Sequence, residues 1–243
     1  MKTLSMLFLF MSFFTVTTVQ AQEAKNGAGI ILGVNYSDVN YGGEFLSQFL
    51  PKDDYLSLSS GGDSDYGFDI GLNYQFAISD KFSTRVGMMY SVLKYQIEGN
   101  VSQRDPSVTR PPSPDIPIEA EGVVSYSFLN IPLTLDYSFN QNPNKGLFVF
   151  ASANAMLRLN TKWNLDVTYE DMSEGTEDDM SGIIEPDYNA LWFVGLGAGY
   201  HIPLSDQISL TPSFSMKYGL NPLVDGGLEP TLINLDVTFY RWF

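Results

Sequence analysis

Few residues in this chain have the types and spacing that do chemistry. Its single histidine, His201, stands in GYHIP just before the short polar stretch LSDQ (204–207), and cysteine is absent. Thiol catalysis, thiolate metal sites and a disulfide-stapled scaffold are thereby excluded. A Ser/His/Asp hydrolase at a membrane surface needs its histidine beside the exposed loops. His201 falls instead beside a short turn, where a hydrogen-bonded structural histidine is expected. The run YEDMSEGTEDDMSG (169–182) gathers carboxylates of the kind that bind Ca²⁺. It lacks the alternating ligand positions followed by glycine of an EF-hand loop, so a solvated acidic loop is expected and no metal or other cofactor is implied.

A different pattern is carried by Asp69, Asp136 and Asp236 against Arg85, Arg158 and Lys217, which balance in sign within segments otherwise almost free of charge. Such groups, if buried and unpaired, cost several kcal/mol each. Height above the short turns on neighbouring strands predicts an Arg85/Asp136 pair and a Lys217/Asp236 pair, with Asp69 and Arg158 joining the upper group. A charge network of this kind plugs a lumen.

The elements that must position these charges are strands. Alternation with period two marks a strand whose faces meet different environments, and it recurs eight times, in AGIILGVNY, GFDIGLNYQF, FSTRVGMMYSV, SFLNIPLTLDYSF, GLFVFASANAMLRLN, LWFVGLGAGYHI, QISLTPSFSMKY and INLDVTFYRWF. In GFDIGLNYQF, Phe68, Ile70, Leu72, Tyr74 and Phe76 oppose Gly67, Asp69, Gly71, Asn73 and Gln75. Short turns at ISDK (78–81), NQNPNK (140–145) and LSDQ alternate with long polar loops over 38–64, 98–121, 161–187 and 220–230. Short turns at one end and long loops at the other describe an all-β, eight-stranded antiparallel up-and-down transmembrane β-barrel, with the turns in the periplasm and the loops outside the cell. Within the strands, Pro132 and Pro212 remove ladder donors and predict bulges or locally opened pairs.

Which face looks outward is decided by the polar side. It is built of Gly, Ser, Asn and Thr with few charges, whereas the exterior of a soluble lipocalin-like barrel intersperses Lys and Glu. The formal net charge of −15 resides in the loops, and the strand region is nearly neutral. Net negative loops argue against nucleic acid or other polyanions. Phe76, Phe82, Phe139, Tyr200 and Phe243 near the turns, and Tyr36, Tyr90 and Tyr218 toward the loops, are placed as two interfacial belts.

The opening MKTLSMLFLFMSFFTVTTVQAQ has a lysine, a short apolar run and the small-x-small site Val19-Gln20-Ala21. It reads as a signal peptide over 1–21, leaving one barrel domain over 22–243. In a closed barrel INLDVTFYRWF must pair with the first strand. Phe239, Arg241, Trp242 and Phe243 are read as a C-terminal assembly signal for the barrel-insertion machinery, with Arg241 snorkelling to headgroups. The loop QRDPSVTRPPSPDIP (103–117) is proline-rich and is expected to be extended.

SFLNIPLTLDYSF with its N-I-P-L core, GFDIGLNYQFAISDKFSTRVGMMYS and the late GLGAGY together resemble the PorT-like outer-membrane β-barrel family of Gram-negative bacteria. The resemblance implies an eight-stranded barrel in the outer membrane and, for the family's namesake, a part in a protein-secretion apparatus. The expected partners are the lipid bilayer and lipopolysaccharide, the insertion machinery and a secretion or surface partner. The function expected is a non-enzymatic structural, adhesive or secretion-associated platform; the alternative is an outer-leaflet enzyme or small-solute channel.

Overall fold

The structure is a computed structural model that describes residues 26–38, 56–103, 117–169, 174–177, 189–222 and 229–243. The signal segment 1–21, most of the acidic run 169–182 and nearly all of the proline-rich loop lie outside the described residues. The described elements are strands: β1 (Gly27–Asp38), β2 (Leu56–Ala77), β3 (Phe82–Gln103), β4 (Pro117–Ser138), β5 (Gly146–Tyr169), β6 (Glu174–Glu177), β7 (Ala190–Pro203), β8 (Ile208–Gly219) and β9 (Thr231–Trp242). Every pairing is antiparallel. The order β4-β3-β2-β1-β9-β8-β7-β5 closes through an additional β4–β5 pairing, which makes an eight-stranded barrel. β6 is a short added strand that pairs with β5 at Leu165–Thr168. β1 and β9 pair from Gly27↔Trp242 to Asp38↔Thr231, so the last strand is held along its whole length.

Hydrophobic alternation decides the facing. Ile30, Leu32, Ile70, Leu72, Met88, Leu135, Leu196, Met216, Leu235 and Phe239 are exposed on the outer wall, while Asn35, Gln75, Ser91, Thr211 and Thr238 are fully buried inside. A greasy outside around a polar inside is the arrangement of a wall solvated by hydrocarbon. Aromatic residues ring both ends of this wall. Tyr74 with Phe76, and Phe82 with Tyr137 and Phe139, pack near the short turns; Tyr36 with Tyr66, and Phe68 with Tyr90, pack near the long-loop end. Trp192, Tyr66 and Tyr218 are exposed at the long-loop end as well.

The extents expected for the loops are corrected. β2 to β5 run 22 to 24 residues, against 12 to 14 for the other barrel strands, so they continue well into segments read as loops. Half the barrel wall therefore extends beyond the membrane as a sheet. In addition, a bulge in β5 opposite Ser127 and Phe128 pairs Asn160 with Ser127 and Arg158 with Phe128. The extra residue, Leu159, reverses the facing beyond it, so Asn160 lies on the exposed outer face rather than in the lumen.

Both strand prolines interrupt a ladder without shifting it. The β3–β4 pairing skips from Val86↔Leu133 to Met89↔Asn130 in the same register, across Pro132. The β7–β8 pairing skips from Gly199↔Ser213 to Ile202↔Leu210, across Pro212. Each is a locally opened pair, because proline withholds one donor and the rest of the ladder holds register. At the turn end, Ile78 and Ser79 donate to the Phe82 carbonyl, Leu204 and Ser205 donate to the Ile208 carbonyl, and Gly146 takes φ +78°, the left-handed conformation that closes the β4–β5 turn.

Candidate functional site

The lumen is where the chemistry-bearing residues converge. Arg85 on β3 and Asp136 on β4 meet near the turn end, with Arg85 Nε donating to Asp136 Oδ2 at 2.9 Å and Nη2 to Oδ1 at 2.8 Å. Both side chains are buried, and the bidentate geometry is the strongest form of such a pair. Ser83 donates to the same carboxylate at 3.3 Å and receives a bond from Gln75 at 2.9 Å.

The guanidinium lies over the rings of Phe148 and Phe150, 5.2 and 4.8 Å from their centroids. These rings fit because β7 presents glycine opposite each of them: Phe150 is in register with Gly197 and Phe148 with Gly199. A Cβ on either glycine would collide with the tip of the facing ring. The GLGAG segment is thus a space-making element for the cage around Arg85.

Below the cage the floor is aromatic. His201 is fully buried, stacks on Phe148 at 4.5 Å between centroids, and meets the edges of Tyr240 and Trp242. Its Nδ1 hydrogen-bonds with the Thr211 hydroxyl at 2.7 Å, and the Trp242 indole donates to Ser209 at 3.0 Å. The imidazole is thus packed among three rings and one hydroxyl.

The upper charges arrange themselves otherwise than expected. Asp69 accepts from Asn35 at 3.2 Å and from Asn234 at 2.7 Å, so two amides solvate its carboxylate. Arg158 does not join it. Arg158 is half-buried at the long-loop end and donates to the Asn189 side chain at 3.0 Å. Lys217 and Asp236 do not form a direct ion pair either. Asp236 is in register with Ser213, four residues from Lys217 on β8, and the two line one cavity without closing to contact. Gly33 is in register with both Asp69 and Asp236, which places these two carboxylates on either side of one glycine. Strand adjacency is visible in the sequence, but a register offset of several residues is not.

The cavity between Lys217 and Asp236 has a volume of about 50 Å³ and is also lined by Asn73, Thr134, Asn154 and Ser215. That is space for a few water molecules. The Oδ1 atoms of Asn73, Asn154 and Asp236 and the hydroxyls of Thr134 and Ser215 have no protein partner, so the cavity wall is polar on several sides. Above it the filling changes character: Leu93, Tyr95, Val124, Tyr126, Phe128, Met156, Leu191, Phe193 and Leu232 are all at most 2% exposed. Sequence reading missed this apolar upper lumen; the signal for it was the paired apolar residues Val92-Leu93 and Phe128-Leu129, where alternation changes phase.

Of the C-terminal residues, Phe239 and Phe243 are exposed on the outer wall, Arg241 lies 5.8 Å over the Phe243 ring, and Trp242 belongs to the lumen floor. No helix among the described residues is long and apolar enough to cross a membrane, a fact that leaves strand crossing untouched.

Among solved structures, the chain is similar in fold to Neisserial surface protein A, with 11% identity over 90% of this chain and 97% of that one at a TM-score of 0.43. It is similar to the attachment invasion locus protein Ail of Yersinia pestis, with 12% identity over 90% and 99% at a TM-score of 0.36. It is also similar to the outer membrane protease OmpT of Escherichia coli, with 10% identity over 93% and 99% at a TM-score of 0.38. No curated protein matches the sequence. A family model described as outer membrane protein beta-barrel domain matches residues 20–225, and with the closed barrel and its greasy exterior this places the chain as an outer-membrane protein: it belongs to the outer membrane protein beta-barrel domain family.

Proposed function

We propose that this outer-membrane barrel is non-enzymatic and sealed, and that it serves as a structural, adhesive or secretion-associated platform through the sheet that β2 to β5 extend beyond the membrane. The observation that carries this reading is the filling of the lumen at two levels. Near the turns the caged Arg85–Asp136 pair and the His201 floor occupy the bore; nearer the loops the cluster around Tyr126 and Phe128 occupies it. Burial of the only histidine supports the non-enzymatic reading. Resemblance to the PorT-like family supports a secretion-associated role over a purely mechanical one. Phe239, Arg241, Trp242 and Phe243 on the closing strand support recognition by the barrel-insertion machinery, and lipopolysaccharide is the lipid partner expected on the loop side.

Planar-bilayer recording of the full barrel tests the seal. The expected trace has no stable large conductance steps, and such steps in the wild type would overturn the sealed lumen. The platform role is tested in a deletion strain scored for retention of secreted proteins, envelope integrity and surface binding. A platform predicts a defect in one of the three, and wild-type behaviour in all of them would contradict it.

A further inference from the structure

We infer that the outward face of β3, β4 and β5, just past the membrane exit, binds the phosphate groups of an outer-leaflet glycolipid through Lys94 and Lys162, with Ser125 between them. The inference rests on the orientation above, with the long-loop ends outside the cell. Lys94 is in register with Ser125, and Ser125 with Lys162, so the three form one row across adjacent strands. At about 4.8 Å between strands the two lysine Cα atoms stand about 10 Å apart. Lys162 is exposed and Lys94 and Ser125 are half-buried. Among the described residues no hydrogen bond or ion pair engages either ammonium.

The row exists because of the β5 bulge. Before Leu159 the even-numbered residues of β5, Phe148 to Met156, are buried in the lumen; after it Asn160, Lys162 and Asn164 are exposed. Bulges re-aim side chains, and this one moves a lysine from the inside of the barrel to the outside, opposite a second lysine two strands away.

Position and charge select the ligand. Lys94 is four residues past Tyr90, the outer-ring aromatic of β3, which bonds Ser127 of β4 at 2.9 Å. At ~3.4 Å per residue and a tilt of ~40° that is roughly 10 Å along the membrane normal, the level of lipid headgroups. The lysine pair is an exception in a chain of net charge −15. An anion is favoured at this lysine row, and its height suits phosphate groups anchored at the membrane surface. Lysine stems lying along apolar wall with ammonium groups at the headgroup level are the usual arrangement for such residues.

The test is native mass spectrometry of the full barrel in neutral detergent, titrated with bis-phosphorylated lipid A, dephosphorylated lipid A and phosphatidylglycerol, with inorganic phosphate as competitor. The inference predicts at least tenfold tighter retention of the bis-phosphorylated lipid over both others. It predicts loss of that preference in the Lys94→Gln/Lys162→Gln double variant and its retention in Lys94→Arg/Lys162→Arg. Equal retention of dephosphorylated lipid or phosphatidylglycerol would overturn the site, as would an unchanged preference in the glutamine double variant or displacement by equimolar inorganic phosphate. Lys81→Gln, on a short turn at the opposite end, should change nothing. A loss confined to Lys81→Gln would overturn the orientation, whereas an unchanged preference in every variant overturns the site and leaves the orientation standing.

Discussion

Inside the membrane, β3 turns Val86, Met88 and Tyr90 outward and Arg85, Met89 and Ser91 inward; beyond it the same strand turns Lys94 and Gln96 outward and Leu93 and Tyr95 inward. β4 repeats the reversal, with Leu135 and Ile131 exposed in the wall, and Tyr126 and Val124 fully buried past it. Between β3 and β4 the ladder keeps one register from Met89 to Asn100, while the flanking ladders shift at the same level, β2 against β3 between Ser64 and Phe68 and β4 against β5 at Ser127 and Phe128. What changes is the solvent. Where hydrocarbon surrounds the barrel, the apolar face is the outer one and the inside is a polar core that satisfies itself; where water surrounds it, the ordinary burial rule returns. β3 and β4 achieve the reversal by shifting the phase of their hydrophobic alternation, and β5 by inserting Leu159.

The largest effects are expected in the membrane half. Asp136→Ala would leave a buried guanidinium unpaired, at a cost of about 3–5 kcal/mol, read as a fall in the urea midpoint of the barrel in lipid vesicles. The double variant Arg85→Leu/Asp136→Leu should recover much of that loss, because both charges go together. Next, lysine placed on the outer face of each half should behave differently. Leu72→Lys, in mid-wall, should cost about 2–4 kcal/mol, while Gln96→Lys, past the exit, should stay within about 0.5 kcal/mol; equal costs would mean both positions meet the same solvent. A smaller effect is expected from Gly197→Val, which forces the Phe150 ring out of the cage around Arg85, at about 1–3 kcal/mol for overpacking. The same urea series measures it, and a near-neutral result would show that the cage can shift freely.

Much of this fold is legible in the sequence. Phe68 to Phe76 alternate so strictly that a strand between two environments is read directly, the composition of the polar faces decides that the apolar side meets lipid, and the short turns at ISDK and LSDQ set the strand order. Arg85 and Asp136 sit at the same height on adjacent strands, so height alone brings them together. Height misleads for Lys217 and Asp236, because pairing register decides that Asp236 faces Ser213. It misleads for Arg158 because the outer rim offers Asn189 and the lumen has already given Asp69 two asparagine amides. The extension of β2 to β5 is hidden by the reversal itself: apolar residues on one parity end at Val92 and at Leu129, where the strand goes on with its faces exchanged.

A nitroxide scan along β3 from Thr84 to Gln96 in lipid vesicles, read for collisions with oxygen and with a water-soluble nickel chelate, reports the solvent on each face of the strand residue by residue. Even positions through Tyr90 should favour oxygen and positions 94 and 96 the chelate, with odd positions shielded from both. Chelate access at the odd positions would mean an open lumen, and oxygen preference persisting through position 96 would mean that no reversal of solvent occurs there.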